Sequence, residues 1–97
     1  MFVVPAQVLA ADGASLGTGH VVELSPGGVR VDTGIALGVG QEIEVVFRLP
    51  GAKDPFRSRA VVRWRQDPAT GLELVGLDPA RAQLLADMVK PMGSAPR

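Results

Sequence analysis

The chain has no cysteine and no tyrosine, and aromatic residues make up only 4% of its 97 positions. Without cysteine there are no disulfides and no thiolate metal sites. The single histidine, His20, has no cysteine or clustered carboxylates beside it, which argues against a metal centre, and with one histidine no Ser-His-Asp order stands out. Net charge is zero, with ten basic and ten acidic residues. That argues against bulk electrostatic binding to nucleic acid or to an anionic membrane. Poverty in aromatics also argues against a stacking surface for single-stranded nucleic acid. No apolar run approaches the ~18 residues of a membrane-spanning helix. The N-terminus has neither the basic start nor the apolar core of a signal peptide, so the cytoplasm is the expected compartment. No lysine or arginine precedes Arg30. Nothing resembles an activated nucleophile or an acid–base pair, so no catalytic residue is expected. The glycine-rich segment Gly34–Gly40 lacks the Gly-Lys-Ser/Thr ending of a phosphate loop and reads as a flexible connection.

What is present is a one-domain chain with 46% hydrophobic residues and a mean hydropathy of +0.22. A chain of this size buries roughly 60–65% of its unfolded surface, enough to fold alone with little stability to spare. Period-two patterning runs through its first three quarters. Phe2, Val4, Ala6, Val8 and Ala10 mark a first strand, followed by a turn at Ala11-Asp12-Gly13. A second strand covers about Thr18 to Leu24, with Val22 and Leu24 on one side. Gly28–Asp32 is a short third strand, with Val29 and Val31 facing together. Ile43, Val45, Phe47 and Leu49 form the inward face of a fourth, with Val46 outward. Phe56 to Arg65 is a fifth, with Phe56, Ala60, Val62 and Trp64 inward. A turn over Gln66–Gly71 leads to a sixth strand, Leu72–Gly76.

The period then changes. Asp78-Pro79 is a helix start, because aspartate caps free amides and proline suits the first helical position. Ala80, Leu84 and Met88, widened by Leu85, form an apolar stripe, and Pro91 is expected to stop the helix. The expected organisation is one domain over residues 1–90 and a flexible tail over 91–97. The fold class is all-β: a six-stranded antiparallel barrel of even, short strands with one C-terminal helix.

The second and third strands are joined by Glu23-Leu24-Ser25-Pro26-Gly27-Gly28. Proline presets the first central position of a type II turn and glycine suits the next. An acidic group and a hydroxyl two residues apart, beside such a turn, can hold a small polar ligand against backbone amides. Structural roles are open for the same residues: Ser25 can bond to nearby backbone, and Gly28 can simply permit close packing.

This hairpin fits a D/N-x-S-x-x-G turn with glutamate in the first place. Together with Val29-Arg30-Val31-Asp32-Thr33, Leu49-Pro50, Ala60-Val61-Val62-Arg63-Trp64 and Gly71-Leu72-Glu73-Leu74-Val75-Gly76, it gives the chain a pattern that resembles the PilZ domain over nearly its whole length. The resemblance implies a split-barrel-type fold and a bacterial signalling role. It further implies binding of the second messenger cyclic di-GMP, through an R-x-x-x-R segment ahead of the first strand and through the hairpin turn. It assigns Glu23, Ser25 and Gly28 to a nucleotide, and Arg30, beside them on the outward side of the third strand, reads either as a further anion contact or as a solvated strand charge. No arginine occurs ahead of Arg30, so the site is expected to lack the R-x-x-x-R contacts. Cyclic di-GMP carries two phosphodiester charges, and arginine contacts to such groups are worth about 1.5–3 kcal/mol each. Losing two would weaken binding by roughly two to four decades.

Arg57, Arg59, Arg63 and Arg65 share one parity on the fifth strand, opposite its apolar residues. Cross-strand pairing with Glu42 and Glu44 accounts for part of this ladder. The remaining positive excess reads either as a solvated face or as a docking face for an acidic protein partner. Val89 and Met92 are candidates for a homodimer contact. The expected function is a non-enzymatic regulatory adaptor, PilZ-like, with a degenerate cyclic di-GMP site and no cofactor. The alternative is a working cyclic di-GMP receptor controlling motility, secretion or polysaccharide output.

Overall fold

The computed structural model describes residues 3–25, 27–49 and 52–93, with side chains described up to residue 86. Six strands form: β1 (Val4–Ala10), β2 (Ser15–Ser25), β3 (Gly28–Asp32), β4 (Glu42–Phe47), β5 (Phe56–Gln66) and β6 (Ala69–Val75). One helix follows, α1 (Pro79–Gly93). All strand pairs are antiparallel, and the sheet closes in the order β1-β2-β3-β6-β5-β4, with β4 returning to β1. Closure satisfies the backbone groups that an open edge would expose.

Alternation sends Ala6 and Val8, Val29 and Val31, Ile43, Val45 and Phe47, and Leu72 and Leu74 into the barrel, where they form one core. Phe47 and Phe56 pack with ring centroids 5.2 Å apart. The simple alternation fails in two places, and in both the cause is a register shift. On β2 the shift between Val21 and Glu23 makes Val21 and Leu24 the buried pair, three residues apart, and leaves Val22 half-buried. On β5 the shift lies between Val62 and Trp64. A β-bulge of this kind inserts one unpaired residue and reverses the facing of the residues after it. Trp64, expected inside, is therefore exposed, and Arg65, expected outside, turns in. Val46 is buried on the outer face of β4, against expectation.

Thr33–Gln41 is not the flexible connection its glycines suggest. Leu37 joins the core and Ile35 packs against it. The Gly40 amide donates to the Val62 carbonyl (2.7 Å) and the Val62 amide to the Gln41 carbonyl (3.0 Å), so the segment is stitched to β5. The β5–β6 connection is also tighter than read: β6 starts at Ala69, and only Asp67-Pro68 turn the chain.

Asp78 caps α1 as expected, accepting from the Arg81 amide at 2.8 Å. Arg81 ties the helix to the barrel. Its guanidinium donates to the carbonyl of Arg57 and lies 5.9 Å from the Phe56 ring centroid. The apolar stripe narrows to Leu85, which is fully buried, whereas Ala80 and Leu84 are exposed. Met88, Val89 and Met92 lie beyond the described side chains. The helix runs past Pro91 to Gly93. A proline this close to a helix end removes one backbone bond, and the last residues keep helical geometry. The boundary expected at residue 90 thus falls inside α1, and residues 94–97 lie outside the described residues. No helix among the described residues is long and apolar enough to cross a membrane.

Candidate functional site

The hairpin between β2 and β3 continues the ladder that joins β3 to β6. Ser25 Oγ donates to the Gly28 carbonyl at 3.2 Å, closing the turn on itself. The Leu74 amide donates to the Gly27 carbonyl at 2.9 Å, fastening the turn to the neighbouring strand. Pro26, and with it the type of the turn, lies outside the described residues.

Two rows of outward positions cross β3, β6 and β5 here. One reads Gly28, Glu73, Val61; the next reads Arg30, Gly71, Trp64. The glycines make a floor without side chains. A Cβ at Gly28 would stand 2.8 Å from the Leu72 carbonyl oxygen, so only glycine lets β3 approach β6 at this point. A Cβ at Gly71 would stand 2.0 Å from Nε1 of Trp64, so the indole lies directly over that position. Around this floor is an open depression of about 400 Å³, walled by Glu23 and Ser25 on one side and by Arg63 and Glu73 on the other. The bulge on β5 supplies both Arg63, as its extra residue, and the outward Trp64.

The charges in the depression are matched. Arg63 reaches Oε1 of Glu73 with both Nε and a terminal nitrogen, each at 2.5 Å. Arg30 lies between two carboxylates, 4.0 Å from Glu23 and 3.8 Å from Asp32. Oδ1 of Asp32 is buried and accepts no hydrogen bond among the described residues, which makes the nearby guanidinium its only visible compensation.

The four candidate nucleotide contacts, Glu23, Ser25, Gly28 and Arg30, therefore come together in one place. The four arginines of β5 do not. Arg57 faces solvent and pairs with Glu44 at 3.7 Å. Arg59 is exposed and lies opposite Glu44 in the ladder. Glu42 sits opposite Val61, so it has no arginine across from it. Arg63 belongs to the depression. Arg65 is a strut: it donates to Thr70 Oγ1 (2.6 Å), to the Thr33 carbonyl (3.2 Å) and to Asp67 (3.1 Å), and only 15% of its side chain is exposed. Trp64, Gly71 and Glu73 were not expected in the site. Their only signal in the sequence is a glycine opening the last strand run, and that says nothing about which residue lies across from it. Among the described residues no three histidine, aspartate or glutamate side chains are grouped to hold a metal ion.

The family model for the PilZ domain matches residues 2–90. The chain belongs to the PilZ domain family. PilZ domains are regulatory domains that bind cyclic di-GMP and proteins. Among solved structures, the PilZ domain of CeSA from a cellulose-synthesizing bacterium is similar with a TM-score of 0.71 at 18% identity, over 96% of this chain and 95% of that one. The Bacillus subtilis inhibitor of motility MotI/DgrA is similar with a TM-score of 0.72 at 21% identity, over 99% of this chain and 50% of its own length. These likenesses establish the fold. A search among curated proteins finds no sequence match.

Proposed function

We propose that this PilZ domain is a non-enzymatic regulatory adaptor of a bacterial signalling system, acting through a protein partner, with a cyclic di-GMP site that is disabled as it stands. The observation that carries this reading is the charge balance of the depression beside the motif hairpin. Its two arginines, Arg30 and Arg63, are each matched by carboxylates of the same chain. A ligand with two phosphodiester charges needs unpaired cations, preferably forked ones. Here it would have to displace Glu73 from Arg63 and approach Glu23 and Asp32 at Arg30. The adaptor face in this reading is the remaining exposed part of β5, Arg57 and Arg59, toward an acidic partner surface.

Titration calorimetry with cyclic di-GMP tests the reading. The expected result is no binding heat at high micromolar ligand. Low-micromolar affinity would overturn it and establish the receptor reading. That second reading has one observation in its favour: an exposed indole, Trp64, in the same depression as both arginines.

A further inference from the structure

We infer that Glu73 is the residue that decides whether this site takes an anionic nucleotide, and that Arg63 is the phosphate-binding cation it withholds. The inference rests on the reading of the depression as a charge-neutralised PilZ site. It goes further by assigning the neutralisation to one side chain and the latent affinity to another.

The two ion pairs of the depression are unequal. The contacts of Arg30 with Glu23 and Asp32, at 4.0 and 3.8 Å, are longer than hydrogen bonds, and they are spread over two carboxylates. The contacts of Arg63 converge on a single oxygen of Glu73, two nitrogens at 2.5 Å each. A guanidinium gripping one acidic oxygen with two N–H groups makes the same contact it would make with a phosphate oxygen. Glu73 thus sits where a ligand's oxygen would sit. Its register explains why. Glu73 lies directly across from Gly28, the last residue of the motif hairpin, and Arg63 is the extra residue of the bulge on the adjoining strand. The bulge brings a cation to the hairpin from β5, and the carboxylate beside the hairpin's glycine captures it.

Glu73 and Arg63 are both about half exposed, at 48% and 56%. An exposed pair contributes little to folding, so the site can be unlocked without unfolding the barrel.

The test is a comparison of affinities for cyclic di-GMP by Trp64 emission, carried to millimolar ligand so that the weak binding of the parent is itself read. Trp64 is the only tryptophan and there is no tyrosine, so the signal comes from the depression itself. Glu73→Gln is expected to raise affinity by roughly ten-fold, the equivalent of about one charge-assisted contact. Glu23→Gln is expected to change it less than about three-fold, because Arg30 keeps Asp32. The Glu73→Gln/Arg63→Ala double variant is expected to lose the gain. Glu73→Ser serves as a second unlocking variant, and circular dichroism verifies that each variant is folded. No gain in either unlocking variant, an equal gain from Glu23→Gln, or a gain that survives removal of Arg63 would overturn the inference. Tight binding by the unaltered chain would instead overturn the disabled-site reading, while the ratio between variant and parent would still decide the role of Glu73.

Discussion

Replacing Gly71 with alanine asks whether the Trp64 indole is held on the barrel by the lack of a side chain beneath it. The added methyl would stand 2.0 Å from Nε1 and 2.2 Å from Cε2, so the ring must leave. Gly71 is not among the glycines with positive φ, so alanine is acceptable to the backbone and the cost is displacement of the indole. Trp64 is 43% exposed. For a side chain that buries at most ~250 Å², somewhat more than half, about 140 Å², is covered. At ~25 cal/mol per Å² its complete exposure would cost about 3.5 kcal/mol. A displaced ring recovers part of that contact on neighbouring strands, and alanine restores about 0.5–1 kcal/mol by restricting the unfolded chain. The expected net loss is about 1–2 kcal/mol, a fall in Tm of roughly 5–15 °C for a domain of this size. Thermal melts by circular dichroism read the loss. A red-shifted emission and stronger acrylamide quenching read the displacement. In a Trp64→Ala background the Gly71→Ala change is expected to be neutral or stabilising. An unchanged Tm and emission, or the same loss in both backgrounds, would refute the reasoning.

Arg65→Ala should cost about 1.5–3 kcal/mol in urea denaturation, because it strands the partners of a nearly covered guanidinium, whereas Arg57→Ala should cost less than about 1 kcal/mol; equal losses would show that Arg65 is not a strut. Leu85→Ala should destabilise by about 2–5 kcal/mol, with hydrogen exchange rising first in α1; retention of α1 protection would mean that Arg81 and the Asp78 cap hold the helix by themselves. Gly28→Val should drive β3 from β6 through its 2.8 Å approach to the Leu72 carbonyl oxygen, seen as faster exchange along both strands, and unaltered exchange there would contradict the close packing.

Where a strand is regular, alternation alone locates the core. Ile43, Val45 and Phe47 on β4, and Val29 and Val31 on β3, face inward as their spacing requires. The helix start was equally legible, because Asp78 caps through a local hydrogen bond. Spacing failed at the bulges on β2 and β5, since an inserted residue reverses facing without leaving a mark in composition. That is why Trp64 and Arg65 exchanged places with expectation. Glycine content misled over Thr33–Gln41, where the loop is ordered by bonds to a strand distant in the chain.

The order of residues by itself determined the strand-rich fold, the motif hairpin and the family, because these depend on local turn chemistry and on a period that neighbours share. Only the closed barrel decided which charges meet. Arg63, Glu73 and Gly28 belong to three different strands and become neighbours through ladder register, and a single extra residue on β5 turns an expected core tryptophan into a wall of the site. Ion pairing acts through space over a few ångströms, so its outcome depends on that register and not on distance along the chain.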